Sequence, residues 1–216
     1  MNLAAVALVP HQPETGAWYR VAGTRWISTA IVTAHTVVTP SRFYDPTSAS
    51  PQFRTLYLSD NLHVALFEAQ ALLGAPTRPG GPVPAPKGHW MTLTVSVQLH
   101  AVLDLSARAS QATLDVTVQE LTGDWLGYQA RSHLTNVSAP TGTAPTQMLG
   151  EAIYRDLRGL EGFLTVSAKV PTNRNLIVFP DRLGPNSFVQ YEWTDERGRI
   201  RQYRIDHGNP DGRDIP

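Results

Sequence analysis

The sequence predicts an α+β fold, with a central mixed or antiparallel sheet flanked by helices. Three observations carry this. Met91, Leu93, Val95, Val97 and Leu99 alternate with Thr92, Thr94, Ser96 and Gln98, the period of a strand with one buried face. Leu62, Leu66, Ala69 and Leu73 recur at the spacing of an amphipathic helix. Strand-like and helix-like segments follow one another without the regular alternation that a parallel α/β sheet requires.

In chain order, residues 1–16 read as a loose lead-in and 18–22 as a first strand. Residues 24–39, rich in Thr, Val and Ile, fit no single state. The stretch 40–52 carries Pro40, Asp45-Pro46 and Pro51 and reads as loop, followed by a short strand over 54–58. Ser59-Asp60-Asn61 is a run of N-cap residues that opens a helix over 62–73, with Gly74 as its C-cap. Residues 75–88, dense in proline and glycine, read as a surface loop or flap. After the alternating strand, 102–105 continues in extended form, and 114–126 is helical in part. Pro145 precedes a helix over 146–158 that Gly159 ends. Residues 163–167 and 176–179 are apolar strands. Residues 188–193 and 199–205 form a hairpin about Asp195-Glu196-Arg197-Gly198, and 207–216 is a polar tail.

At 216 residues and 42% hydrophobic content, the chain can bury a core, and its length favours one domain over 1–216. Eighteen basic residues balance eighteen acidic ones, which argues against nucleic-acid binding by bulk charge and leaves room for a local anion site. Only Lys87 and Lys169 are lysines, so anion contacts fall mostly to planar, bidentate guanidinium groups. The absence of cysteine excludes disulfides, thiolate metal sites and cysteine nucleophiles. Residues 1–10 are apolar but too short to span a bilayer and lack the basic start of a signal peptide, so the expected location is cytoplasmic, without membrane contact. No Gly-x-Gly-x-x-Gly run, Walker loop, Gly-x-Ser-x-Gly elbow or His-x-x-x-His pair is present, and no metal site is expected.

Four segments stand out together. They are Trp18-Tyr19-Arg20-Val21; Ser41-Arg42-Phe43-Tyr44-Asp45-Pro46; Leu56-Tyr57-Leu58-Ser59 with Ala65-Leu66-Phe67-Glu68; and Gly162 to Ala168 with Asn175 to Pro180. Singly, each has an ordinary explanation: a packing tyrosine, surface arginines, a small strand serine, a turn asparagine. Glu68 lies roughly 120° from the centre of its helix's apolar stripe, as a solvated residue would. Their order and spacing, however, resemble the RES domain, a family named for its arginine, glutamate and serine. In that family an aromatic–Arg strand is followed by Gly-Arg-Trp/Phe-Asn-Pro, a tyrosine strand, Ala-x-x-Glu on a helix, Gly-(apolar)-Pro-Ser-Ala and Asn-(apolar)-Phe. The match spans about residues 17–183, leaving the hairpin and tail of 184–216 as an appendage. Ser41 stands where glycine is usual, Asp45 replaces asparagine, Val166 replaces proline, and the loop from Arg42 to Tyr57 is longer.

The resemblance implies an ADP-ribosyltransferase-like fold. It also implies a toxin that cleaves the nicotinamide–ribose bond of NAD, by hydrolysis or phosphorolysis, and is silenced by an Xre-type antitoxin through which any DNA contact would run. NAD is then substrate, with no resident cofactor. Glu68, Arg42, Tyr57 and Ser167 become the catalytic set, and Arg20, Arg42, Tyr57, Ser167 and Asn175 the NAD-binding set. The residue types suit that chemistry. Nicotinamide leaves as a neutral group and needs no proton, so one carboxylate facing an oxocarbenium-like ribose suffices where glycosidases use two. Two alternatives remain: transfer of ADP-ribose to a protein, and a non-catalytic nucleotide-binding or interaction module.

Overall fold

The computed structural model describes residues 1–71, 88–125 and 142–215. Its strands are β1 (His11–Gly23), β2 (Leu56–Ser59), β3 (Trp90–Asp104), β4 (Gly162–Val166), β5 (Arg174–Val178), β6 (Phe188–Thr194), β7 (Ile200–Asp206) and β8 (Asn209–Ile215). Its helices are α1 (Leu62–Glu68), α2 (Arg108–Leu114), α3 (Val118–Thr122) and α4 (Pro145–Asp156). The strands form one sheet in the order β1-β2-β5-β4-β3-β6-β7-β8. Every pairing is antiparallel except β3 with β4, so the sheet is mixed, as expected.

β1 also pairs with β3 along its whole length, from His11↔Leu103 to Gly23↔Trp90. Strands β1, β3, β4, β5 and β2 therefore close a circuit, and β6 to β8 extend from β3. The final junction is thin: β1 meets β2 at the single pair Tyr19↔Ser59.

Alternation along the strands feeds two cores. Phe163 and Ile177 enter one, with Phe43, Tyr44, Phe53 and the buried face of α4, including Leu149 and Ile153. Leu164, Leu176 and Val178 enter the other, with Trp18, Val95, Leu99 and Tyr191. The 40–52 stretch is irregular, as predicted, yet it is anchored. Phe53 stacks on Tyr154 at 4.3 Å and Phe43 meets Phe163 edge-on at 5.0 Å.

Several boundaries differ from expectation for identifiable reasons. The lead-in is not loose: a 3-10 turn covers Leu3–Leu8 and β1 starts at His11, because the long β3 offers it a ladder partner throughout. Pro13 falls at the register shift between Gln12 and Glu14, where a missing N–H is tolerated. Residues 24–39 hold two 3-10 turns, Thr24–Thr29 and Ala34–Val37.

The predicted helix over 62–73 ends at Glu68. Gln70 adopts a left-handed φ of 56°, its N–H bonds the Phe67 carbonyl, and the Ala71 N–H bonds the Leu66 carbonyl at 2.9 Å. This is a Schellman stop without glycine. Leu73, Gly74 and nearly all of the 75–88 loop lie outside the described residues, as does the end of the 114–126 segment, whose described part contains α3. The polar tail is in fact β8, which turns back at Gly208 and pairs with β7. Its polarity hid it: cross-strand ion pairs such as Arg201–Asp214 and Arg213–Asp206 replace apolar packing there.

Candidate active site

The site forms where the end of α1 meets β2, β4 and β5. Asn61 caps α1 by accepting the His63 N–H at 2.8 Å, and the stop after Glu68 makes that glutamate the helix's last residue. Its Oε1 accepts from Ser167 Oγ at 2.6 Å and from Asn175 Nδ2 at 2.8 Å. Both partners are themselves fixed. Ser59 donates to Asn175 Oδ1 at 2.8 Å, which leaves the amide nitrogen facing Glu68. Ser167 Oγ accepts the backbone N–H groups of Lys169 and Val170. Ser167 is fully buried, so its hydroxyl serves Glu68. Glu68 Oε2 has no hydrogen-bond partner among the described residues.

Tyr57, on β2, presents its ring to the site and its hydroxyl to the Arg42 loop. The hydroxyl meets Ser41 Oγ at 2.9 Å and accepts the Phe43 N–H at 3.3 Å. Burial pushes its pKa up to about 12 despite these bonds and the nearby Arg42 charge. The same loop is held from below by α4. Gln147 Nε2 donates to the carbonyls of Ser41 and Tyr44 at 2.9 and 3.2 Å. Gly150 lets the loop sit close, since a Cβ there would lie 2.0 Å from the Phe43 carbonyl oxygen.

Arg42 donates to the carbonyls of Leu121 and Gly123, and burial lowers its pKa, opposed by the charges of Glu68, Tyr57 and Asp124. Arg20 donates through Nε to the Ala30 carbonyl at 2.6 Å and through Nη1 to the Tyr57 carbonyl at 2.9 Å. It thus straps β1 to β2 beside their single ladder pair. Burial holds its pKa down to about 10. Neither arginine has a carboxylate at ion-pair distance among the described residues.

Two hollows flank Glu68. One, of about 270 Å³, includes Tyr19, Arg20 and Ser59 in its walls. The other, of about 360 Å³, includes Arg42, Asp124, Trp125 and Thr165. Tyr57, Glu68 and Asn175 line both and form the partition between them. All six residues singled out in the sequence thus converge, Ser167 from behind the carboxylate and the other five from the walls. Among the described residues, no group of His, Asp and Glu could hold a metal ion, and no helix is long and apolar enough to cross a membrane.

The RES domain model matches residues 17–196. The chain belongs to the RES domain family. No curated protein matches the sequence of this RES-domain chain. Among solved structures it is similar to a chain of the M. tuberculosis MbcT–MbcA toxin–antitoxin complex, with a TM-score of 0.59 and 16% identity over 94% of this chain and 91% of that one. At that identity the likeness speaks to fold.

The departures from the family pattern have local uses in this RES domain. Ser41 supplies the hydroxyl that meets Tyr57. Asp45 Oδ1 accepts both the backbone N–H and the hydroxyl of Thr47. Val166 is the last residue of β4 and faces Arg174 across the β4–β5 ladder. Sequence reasoning missed Ser59, Gln147, Gly150 and Thr165. In sequence, Ser59 looks like one member of a capping run. Thr165 keeps a buried hydroxyl with no partner among the described residues, in the wall of the Arg42 hollow.

Proposed function

We propose that this RES-domain protein cleaves the nicotinamide–ribose bond of NAD, and that it is a toxin held silent by an antitoxin. The observation that carries the reading is the half-engaged Glu68 carboxylate. One oxygen is held by Ser167 and Asn175, while the other is unpartnered among the described residues, on the partition between two hollows, each with an arginine that lacks a carboxylate partner there.

The chemistry follows from that arrangement. As the C–N bond breaks, its electron pair passes to the pyridinium nitrogen, nicotinamide leaves neutral, and positive charge collects on the ribose, whose C1′ then bonds an oxygen of water or phosphate, with a proton lost to solvent from water. A fixed carboxylate beside that ribose stabilises the cation and accepts a hydroxyl hydrogen bond that strengthens with it. A preorganised contact of this kind lowers the barrier by about 3–4 kcal/mol. Arg42 and Arg20 hold the pyrophosphate with forked N–H donors. The Tyr57 ring packs on ribose or nicotinamide. Ser167 and Asn175 act through Glu68 and fix which way its oxygens point; Asn175, which lines both hollows, also reaches substrate. The mixed sheet with a glutamate at its cleft supports reading the fold as ADP-ribosyltransferase-like; the reading also takes 1–216 as one unit acting in the cytoplasm, where NAD is plentiful.

A protein that destroys a general cofactor must be blocked in its own cell, and covering this cleft is the direct way. The proposed partner is an Xre-type antitoxin. Incubation of the purified protein with radiolabelled NAD tests the chemistry: nicotinamide should be released together with free ADP-ribose or its phosphate ester. Label on protein instead would indicate transfer to a protein, and binding without turnover a non-catalytic module. Expression of the wild type alone should stop growth and lower cellular NAD, and co-expression of the antitoxin should restore both. Free growth with unchanged NAD in the absence of any partner would sink the toxin reading.

A further inference from the structure

A third and larger hollow, of about 600 Å³, lies on the far side of Arg20, bounded by Val21, Trp26, Ala30, Val32 and His35. Its volume falls within the range of small-molecule sites. Arg20 lines both this hollow and the catalytic one and is a wall that the two share. Two of its nitrogens point to carbonyls, and no carboxylate among the described residues neutralises it. The walls beyond are largely apolar, and the Trp26 indole is 54% exposed, with the Arg25 guanidinium 5.1 Å from its ring centre. An exposed indole in a hollow that also holds the Arg20 side chain is a stacking platform for a flat ring next to an anion.

The hollow is preformed. Tyr191, buried beneath it, bonds the Ile27 carbonyl and accepts the Ala30 N–H at 3.3 Å, and the Thr24 N–H bonds the His89 carbonyl at 3.0 Å. The turn that carries Trp26 is thus pinned at both ends.

We infer that this hollow is the adenosine subsite: adenine stacks on Trp26 and the pyrophosphate crosses at Arg20, which leaves the nicotinamide riboside beside Glu68. The inference rests on NAD being the substrate and adds which half of the dinucleotide lies on which side of Arg20. It makes Trp26 a binding residue for adenine-bearing ligands alone. Nicotinamide mononucleotide, which ends at the first phosphate, does not reach the hollow.

Glu68→Gln protein, in which turnover is expected to be slowed at least about a hundredfold, gives the test by calorimetric titration of NAD, ADP-ribose and nicotinamide mononucleotide. Adding Trp26→Ala should weaken NAD and ADP-ribose about tenfold or more and change nicotinamide mononucleotide by less than about twofold, as loss of one base stack implies. Trp26→Phe should restore most of the loss. KM for NAD in the otherwise wild-type enzyme reads the same effect from turnover. Equal weakening of all three ligands, or NAD cleaved with unchanged KM by Trp26→Ala, overturns the subsite and leaves the cleavage reading standing. The subsite also falls if Trp26→Ala spares the nucleotides but weakens antitoxin binding, since the hollow is then a protein-docking surface. Absence of any NAD binding or turnover by the wild type removes the cleavage reading itself, and the subsite with it.

Discussion

Ser167 Oγ lies 2.6 Å from Glu68 Oε1, across 99 residues of sequence. Under the proposed cleavage of NAD, the contact gives the serine the part of a positioning residue. Ser167→Ala removes one donor to the carboxylate and strips the Lys169 and Val170 N–H groups of their acceptor. NAD cleavage should fall about tenfold to a hundredfold in kcat with little change in KM, because a charged hydrogen bond is lost where cation develops. Glu68→Gln should cost at least about a hundredfold while the fold survives. Steady-state kinetics with both variants check this. A serine variant impaired chiefly in KM would make Ser167 a substrate contact instead.

Arg42 should act through NAD binding. Its guanidinium reaches the site while donating to the α3 end, a geometry that a lysine ammonium does not reproduce. Arg42→Lys is expected to weaken NAD nearly as much as Arg42→Ala. Titration of NAD into both variants decides it, and a lysine variant of wild-type affinity would relegate Arg42 to the support of α3.

Gly150 is a point of very close approach between α4 and the Arg42 loop. A methyl carbon at this position would stand 2.0 Å from the Phe43 carbonyl oxygen, and no side-chain rotation relieves that clash, since the oxygen is backbone and a Cβ has no freedom to turn away. Gly150→Ala should therefore lower stability by about 1–3 kcal/mol and raise KM by displacing Arg42. Denaturant midpoints and kinetics measure the two effects. An alanine variant of unchanged stability and KM would show the loop free to shift.

Alkaline pH should loosen the Tyr57 region. Folding raises this phenol's pKa to about 12, above its unfolded value, so the unfolded chain loses the proton first. The stability this contributes is complete below about pH 10 and is lost as pH rises toward about 12. Tyr191, also raised to about 12, acts in the same sense. Arg20, lowered to about 10, opposes them, since the folded protein sheds its proton more readily there. Tyr57→Phe should show a smaller fall in denaturant midpoint over that interval than the wild type. Identical pH dependence in both proteins would remove Tyr57 from the account.

How far the sequence reveals this molecule depends on where the deciding force acts. The alternation of 91–99 is legible because its period reports a strand covered on one face, and Leu93, Val95, Val97 and Leu99 are indeed buried. β1 is legible only from Trp18, since its first half is extended for the sake of β3 and carries no apolar period of its own. β8 is hidden because ion pairs hold it. The end of α1 is misplaced because Gly74 is the better stop signal by residue type, whereas the chain turns at Gln70, in a conformation that costs a non-glycine residue about 1–2 kcal/mol. That turn is part of the site, since Gln70 lines the Arg42 hollow. The six candidate residues are picked out through family resemblance; which of them touch one another is not legible there. That Ser167 serves Glu68, and that the Tyr57 hydroxyl serves the Arg42 loop, depends on contacts between segments far apart in sequence.

The lone Tyr19↔Ser59 pair has a dynamic consequence. In a ring of strands, thermal breathing starts where the fewest bonds must break, and every other junction of the circuit is a ladder of several pairs. Tyr19 and Ser59 are also walls of the hollow that holds Glu68. The ring of strands is therefore expected to yield first beside Glu68, along a slit strapped by the Arg20 guanidinium. A ligand whose phosphates engage that guanidinium would staple the slit shut, so amide exchange at its two margins should slow on nucleotide binding while the long β1–β3 ladder stays as it was.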